Sequence, residues 1–196
     1  MTLILGVMIS GRGSNLGAIL QEISKSRCPA SVALVVSNIP GAPGLKIAEK
    51  YGVRHIVLEP SDFETRRAYE KQLARIFRSL KVELLVLAGY MRLVGSALLE
   101  EYPNKIINIH PSLLPDFKGL DAQRQALAAG VSEAGCTVHV VTEELDDGPI
   151  LAQSRVPVLP NDSVKSLSDR ILKKEHQLLP EVITKIALGE IQLTKG

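Results

Sequence analysis

An α/β fold with a Rossmann-like, mostly parallel sheet flanked by helices is predicted by three features of this 196-residue sequence. Apolar runs of strand length alternate with stretches of helical period, which is the pattern of βαβ units. The runs are apolar throughout, as in Leu84-Leu85-Val86-Leu87-Ala88, and this suits a sheet covered on both faces. Polar, Gly-rich segments follow the runs, at the edge where open parallel sheets bind ligands.

The first strand is predicted over 3–9 and a helix over 15–25. The apolar start is no secretory h-region: it lacks a basic start and an Ala-x-Ala cleavage site, and it runs straight into Ser10-Gly11-Arg12-Gly13. A strand over 31–37, a helix over 44–51 and a strand over 53–58 continue the alternation. The spacing then predicts a helix over 65–80, a strand over 82–88, a helix over 95–101, a strand over 105–109 and a helix over 122–129. After residue 130 the rhythm changes, because strands over 136–142 and 150–156 are joined by a turn-rich loop with no helix. An antiparallel hairpin is therefore expected at one side of the sheet in the C-terminal part. A long helix starts at Ser163 and should be interrupted near Pro180; 191–194 reads as a short strand or a disordered tail. No repeat, linker or low-complexity segment breaks the chain, so residues 1–196 are expected to form a single domain.

With 45% hydrophobic residues at this length, a core needs neither metal nor disulfide. Cys28 and Cys136 accordingly read as unpatterned, neutral thiols of a cytoplasmic protein; a bridge between them is the alternative. Nucleic acid is not an expected partner: aromatic residues make up 4% of the chain, Trp is absent and the net charge is +2, so stacking shelves and a basic groove are both lacking. No membrane is expected either, since no stretch approaches the ~20 apolar residues that span a bilayer.

Ser10-Gly11-Arg12-Gly13-Ser14-Asn15-Leu16 joins a buried strand to a helix, aiming backbone N–H groups and a helix dipole at one point, as a phosphate cradle does. A dinucleotide fingerprint is excluded, since Leu16 stands where the third Gly belongs and Ser37-Asn38 where an acid belongs. A Walker loop is excluded by the missing Lys-Ser/Thr. A single phosphate, such as a phosphoribosyl group, fits; a plain tight turn with Ser14 or Asn15 as N-cap is the competing reading.

In Asn108-Ile109-His110-Pro111 the amide and the imidazole lie two residues apart on a strand and share a face. Asn can donate to a developing oxyanion and His can act as an acid; a His satisfied by core hydrogen bonds is the alternative. Glu143-Glu144-Leu145-Asp146-Asp147-Gly148-Pro149 places four carboxylates in one loop without the spacing of a calcium loop. One of them is expected near His110, raising its pKa; spacing does not say which. Glu175 lies on the apolar stripe Val164, Leu167, Ile171, Leu178, Val182 of the last helix and needs a partner there. Arg66 heads the stripe Tyr69, Leu73, Ile76, Leu80, with snorkelling or a surface pair as its ordinary explanation.

Over nearly its whole length the chain resembles the phosphoribosylglycinamide formyltransferase family. The resemblance is carried by the phosphate-loop segment, by Leu87-Ala88-Gly89-Tyr90-Met91-Arg92, by Asn108-Ile109-His110-Pro111-Ser112-Leu113-Leu114-Pro115, and by Val138-His139 leading to Glu144-Leu145-Asp146 and Gly148-Pro149. The Asn-x-His-Pro-Ser-Leu-Leu-Pro segment belongs to 10-formyltetrahydrofolate-using enzymes in general; the early phosphate loop and short length point to the glycinamide ribonucleotide branch. The resemblance implies a folate-dependent formyltransferase of purine biosynthesis with 10-formyltetrahydrofolate as cosubstrate, no metal, and small-molecule substrates only. A monomer and a homodimer both remain open. It implies Asn108, His110 and Asp146 as the catalytic trio, Gly13, Ser14 and Asn15 at the substrate phosphate, and Glu175 at the phosphoribosyl glycinamide. Arg66, Met91, Arg92, Leu93, Val94, Asn108 and Thr142 are implied at the folate.

Three departures stand out. Where many relatives carry Pro-Gly-Leu-His-x-His, this chain has Lys118-Gly119-Leu120-Asp121-Ala122-Gln123, with Asp121 expected as a helix N-cap. Arg12 stands where relatives often have Asn and is expected to add a cation near the phosphate. Asp147 replaces a commonly small residue, with either a further rise in the pKa of His110 or a solvent-facing side chain as its expected effect. A formyltetrahydrofolate deformylase, in which water replaces the amine, is the closest rival, although such hydrolases usually carry an extra N-terminal domain and here a strand starts at Leu3. A noncatalytic phosphate-ligand sensor is the rival from another class.

Overall fold

The computed structural model describes residues 2–193. Among them seven strands form one sheet in the order β3-β2-β1-β4-β5-β6-β7. The strands are β1 (Leu3–Ile9), β2 (Ala30–Ser37), β3 (His55–Val57), β4 (Leu84–Leu87), β5 (Ile106–His110), β6 (Glu133–Val140) and β7 (Ile150–Pro157). The helices are α1 (Ser14–Ser24), α2 (Gly44–Lys50), α3 (Arg66–Ser79), α4 (Ser96–Glu101), α5 (Ala122–Ala128) and α6 (Val164–Ala187). A 3-10 turn at Pro60–Asp62, which no sequence pattern indicated, leads into α3. Thr65 accepts from Ala68 N at 3.1 Å and caps that helix.

β1 to β5 run parallel, and β6 is antiparallel to both β5 and β7. The expected hairpin is present. It occupies the sheet edge, so the antiparallel part takes in β5 as well. β1 feeds β2 on one side and lies beside β4 on the other. The strand order therefore reverses between β1 and β4, and a crevice opens beyond their carboxyl ends.

Each sheet face has its own core. Leu5, Val7 and Ile9 of β1, Ile107 and Ile109 of β5, and Val138 of β6 meet Leu16, Ile19, Leu167, Ile171 and Ile183 of α1 and α6. On the other face Met8, Leu34, Val36, Leu85, Leu87 and Ile106 meet Tyr69, Leu73, Phe77 and Leu98 of α3 and α4. These are the alternate positions of strands buried on both sides, as the continuous apolar runs predict. Cys28 and Cys136 are buried and unbridged; burial pushes the Cys136 thiol up to about 12.

Two local expectations are corrected, for Pro180 and for the cap of α1, and one for Asp121 holds in position only. Pro180 does not interrupt α6, which continues through it for 24 residues. Leu178, Leu179, Val182 and Ile183 around it are buried; four such side chains contribute roughly 6 kcal/mol or more, against about 3 kcal/mol for a proline inside a helix. Asp121 occupies the N-cap position of α5 with φ of +57° but its side chain makes no capping hydrogen bond. The N-cap of α1 is Gly13 rather than Ser14 or Asn15, and it too has no side-chain cap. In the tail, Ile191 to Leu193 form no strand, and Thr194 lies outside the described residues.

Candidate active site

The turn after β1 is shaped by two glycines in contact. Gly13 has φ of +70°, and a Cβ on it would lie 2.5 Å from Gly44 Cα. Gly44 N donates to Gly11 O at 2.9 Å, so the start of α2 braces the turn from behind. The turn thereby leads the first N–H groups of α1 toward the crevice, where an anion is favoured. Behind it, buried Asn15 donates from Nδ2 to Glu175 Oε2 at 2.7 Å, joining α1 to α6. Burial pushes the Glu175 carboxyl up, opposed by that hydrogen bond and by the charge of Arg12. Asn15 Oδ1 is buried and has no partner among the described residues. Arg12 is exposed.

β5 delivers the amide and imidazole together. Ile107 and Ile109 enter the α1/α6 core while Asn108 and His110 take the opposite face, as two-residue spacing demands. Across the antiparallel pair, Asn108 faces His139 of β6. His139 Nδ1 lies 2.9 Å from its neighbour's carbonyl, Val140 O, and donates to it; Nε2 then accepts from Asn108 Nδ2 at 3.1 Å. This fixes which end of Asn108 is the nitrogen, and it leaves the second amide hydrogen free to donate.

Asp146 arrives from the β6–β7 loop with φ of +49°. Its Oδ2 lies 3.3 Å from His110 Nδ1 and accepts from Gly119 N at 2.9 Å, while Oδ1 lies 3.5 Å from His139 Nε2. Burial works against the Asp146 carboxylate, but the contacts with His139, Gly119 and His110 outweigh it and hold its pKa below the ordinary value. Gly148 completes the loop: any Cβ there would run into Val140 O. Asp147 turns away, exposed, and pairs with Lys118.

His110 corrects an expectation. Its Nε2 is 2.9 Å from Phe117 O and its Nδ1 faces Asp146, so both ring nitrogens point at acceptors and two ring protons would be needed to satisfy them. Burial disfavours the cation, and it dominates: the pKa of His110 lies below the ordinary 6.5 although Phe117 O and Asp146 pull it up. The acidic loop therefore does not make His110 a resident imidazolium. The resting ring is one proton short of its own hydrogen bonds.

Of the remaining predicted residues, Met91 to Val94 follow β4, Arg66 opens α3 and Thr142 follows β6. Met91, Arg92 and Leu93 are exposed, whereas Val94 is buried in the α3/α4 core. Ser10 Oγ accepts from Met91 N at 2.7 Å and donates to Asn38 Oδ1 at 2.6 Å, and Ser10 N donates to Gly89 O. The phosphate turn and the Met91 segment are thus fastened to each other across the β1/β4 crevice. Arg66 Nε donates to Glu70 Oε1 at 2.8 Å. Thr142 Oγ1 donates to Glu144 O at 3.4 Å. Sequence reasoning missed Ser10, Glu70 and His139. Only Glu70 left a local trace, four residues from Arg66 on one helix; the other two act across strands.

No group of three or more His, Cys, Asp or Glu side chains suited to a metal occurs among the described residues. Their helices include none long and apolar enough to cross a membrane.

Comparison with known proteins gives concordant results. A family model described as formyl transferase matches residues 4–183. A phosphoribosylglycinamide formyltransferase of Bacillus subtilis is 44% identical over 180 residues, 92% of each chain. The Escherichia coli protein of the same name is 40% identical over 95% of this chain and 88% of its own. The trifunctional purine biosynthetic protein adenosine-3 of Drosophila melanogaster is 43% identical over 93% of this chain, which spans 14% of that longer protein. Among solved structures, glycinamide ribonucleotide transformylase 1 from Symbiobacterium toebii superposes with a TM-score of 0.97 at 47% identity, covering 100% of this chain and 92% of that one.

Proposed function

Because the chain belongs to the formyl transferase family, we propose that it transfers the formyl group of 10-formyltetrahydrofolate to the amine of N1-(5-phospho-D-ribosyl)glycinamide, in the cytoplasm and in purine biosynthesis. The observation that carries the reading is the Asn108, His110, Asp146 cluster, in which a buried imidazole lacks the proton its two acceptors require.

The amine nitrogen bonds to the formyl carbon, and the carbonyl electrons become an oxyanion. Asn108 meets this oxygen with its free amide hydrogen. The amine's proton passes by way of the Asp146 carboxylate to the bare His110 Nδ1 that faces it, and the cation so formed, held between Asp146 and Phe117 O, stabilises the nearby oxyanion by its charge, which acts strongly in a dry site. Collapse of the adduct breaks the bond to folate N10, which takes up the proton. Neutral His110 thus returns, and no charge is left over. His139 holds the Asn108 amide in register from behind.

The acceptor substrate fits the α1 side of the crevice. Gly13, Ser14 and Asn15 supply the helix N-terminus for its phosphate, and exposed Arg12 adds positive charge nearby. The Glu175 carboxylate and the unpartnered Asn15 Oδ1 are acceptors for glycinamide N–H groups. Arg66, Met91, Arg92, Leu93, Val94 and Thr142 line the donor side; Val94 serves there through its backbone and packing, being buried.

The test is formyl-donor consumption with and without the glycinamide ribotide. Consumption that requires the amine is expected. Amine-independent release of formate would replace the reading with hydrolysis, and no consumption in either arm would leave a noncatalytic binder. His110→Ala should lower kcat by about 10² to 10³ while the ribotide still binds; near-normal turnover would remove His110 from the mechanism.

A further inference from the structure

We propose that Glu70 is a positioning residue for the formyl donor, aiming Arg66 and fixing the Met91–Gly95 segment with a single buried carboxylate. The inference rests on the donor reading of Arg66 given above.

Glu70 lies on α3 with only 4% of its surface exposed. A buried carboxylate is costly unless its charge and lone pairs are met. Groups from the expected donor site meet the charge and one of the two oxygens. Its Oε1 accepts from Arg66 Nε at 2.8 Å and also from Gly95 N at 2.7 Å. Gly95 is the N-cap of α4 and ends the segment begun by Met91. A Cβ on Gly95 would lie 2.8 Å from both carboxylate oxygens and 3.0 Å from Arg66 Nε. Carboxylate, guanidinium and glycine therefore fit one another as a unit.

The geometry has a chemical consequence. Glu70 uses only Nε of Arg66. The two terminal nitrogens have no partner among the described residues on a side chain 45% exposed, and in a planar guanidinium they form a fork suited to a carboxylate. Pinning the inner nitrogen removes much of the rotational freedom that such a long side chain would otherwise lose on binding. The ligand class implied is a donor that bears a carboxylate at the end away from the formyl group. The same carboxylate sets the end of the Met91 segment, so the charged tail and the body of the donor are read from one support.

Glu70→Gln is nearly isosteric and keeps an oxygen for Gly95 N, so it removes the charge with little change of shape. Its KM and Kd for 10-formyltetrahydrofolate should rise roughly tenfold, the loss of about one charge-assisted hydrogen bond. Turnover at saturation and the KM for the ribotide should stay within about twofold of wild type. A donor truncated to the pteroyl portion, without the glutamate carboxylates, should bind wild type and variant alike. In an Arg66→Ala background Glu70→Gln should add nothing to the donor Kd. Equal weakening of full and truncated donors, or a full additional loss without Arg66, would reduce Glu70 to a structural brace. If Glu70→Gln does not fold, Gly95→Ala, which forces the carboxylate aside, is expected to give the same donor-selective pattern. Kd is read without turnover, so the outcomes separate: a wild-type protein that binds no reduced folate overturns the donor reading, whereas equal binding by wild type and variant overturns only the role of Glu70.

Discussion

His110 shows how one residue is set by opposing local forces. Desolvation lowers its pKa, and the Phe117 carbonyl and the Asp146 carboxylate raise it by less. The sign gives a prediction. Replacing Asp146 by Asn removes one of the groups that favours the cation, so the pKa of His110 falls further below 6.5. The acid limb of the kcat/KM profile, where neutral His110 is lost, should therefore move to lower pH. At the same time kcat drops by about 10² or more, because the imidazolium formed in the transition state loses its counter-ion. A limb that stays in place would show that another group limits the rate in acid. At this scale the sequence was informative wherever chemistry depends on spacing along the chain: Asn108 and His110 share a face because a strand has a period of two. Spacing did not single out Asp146 against His110, which only the family resemblance implied, since that contact depends on where a loop 36 residues away returns, and the role of His139 stayed hidden because its contact depends on strand register.

Among the elements, the phosphate turn is held by its neighbour as much as by its own glycine. Gly44 opens α2, and a Cβ on it would lie 2.6 Å from Ile9 Cδ1, 2.9 Å from Gly13 Cα and 3.0 Å from Gly11 O. Two of these are backbone atoms of the turn, so they yield only by moving the turn itself. Gly44→Ala is expected to raise the KM for the ribotide about tenfold or more and to destabilise the protein by about 1 to 3 kcal/mol, with the donor Kd little changed; isothermal titration with each substrate separately checks this. An unchanged ribotide Kd would mean that α2 does not brace the cradle. Most elements were legible because their apolar runs are long. The misses have physical causes: β3 shrinks to three residues because it pairs with β2 alone at the sheet edge, and α6 absorbs Pro180 because burial of its neighbours exceeds the cost of one lost hydrogen bond.

On the scale of the whole molecule, burial of titratable groups couples folding to pH. His110 and His176 both have pKa values lowered by burial from the ordinary 6.5. The unfolded chain binds their protons first, so their share of stability is complete above about 6.5 and is lost as pH falls through the lower folded values. Glu175 has the opposite sign: its pKa is raised from 4.5, so its contribution is complete below that value and diminishes as pH rises through the folded one. Urea unfolding of the wild type should lose stability as pH falls below about 6.5, and the loss should shrink in His176→Gln, a variant outside the reaction. An undiminished loss in His176→Gln would mean that His176 is as hydrated folded as unfolded.

The sequence by itself determined the α/β class, the order of nearly all its elements, the edge of the sheet that carries the site, and the residue types available for chemistry. These follow from hydrophobic periodicity and turn composition, which are properties of the chain at short range. Only the tertiary structure decided how Asp146 meets His110, that burial lowers the pKa of that ring, that Glu70 rather than solvent partners Arg66, and that Gly44 supports Gly13. Each of these depends on burial or on contact between segments distant in sequence, and both arise only when the sheet assembles and excludes water from its carboxyl edge.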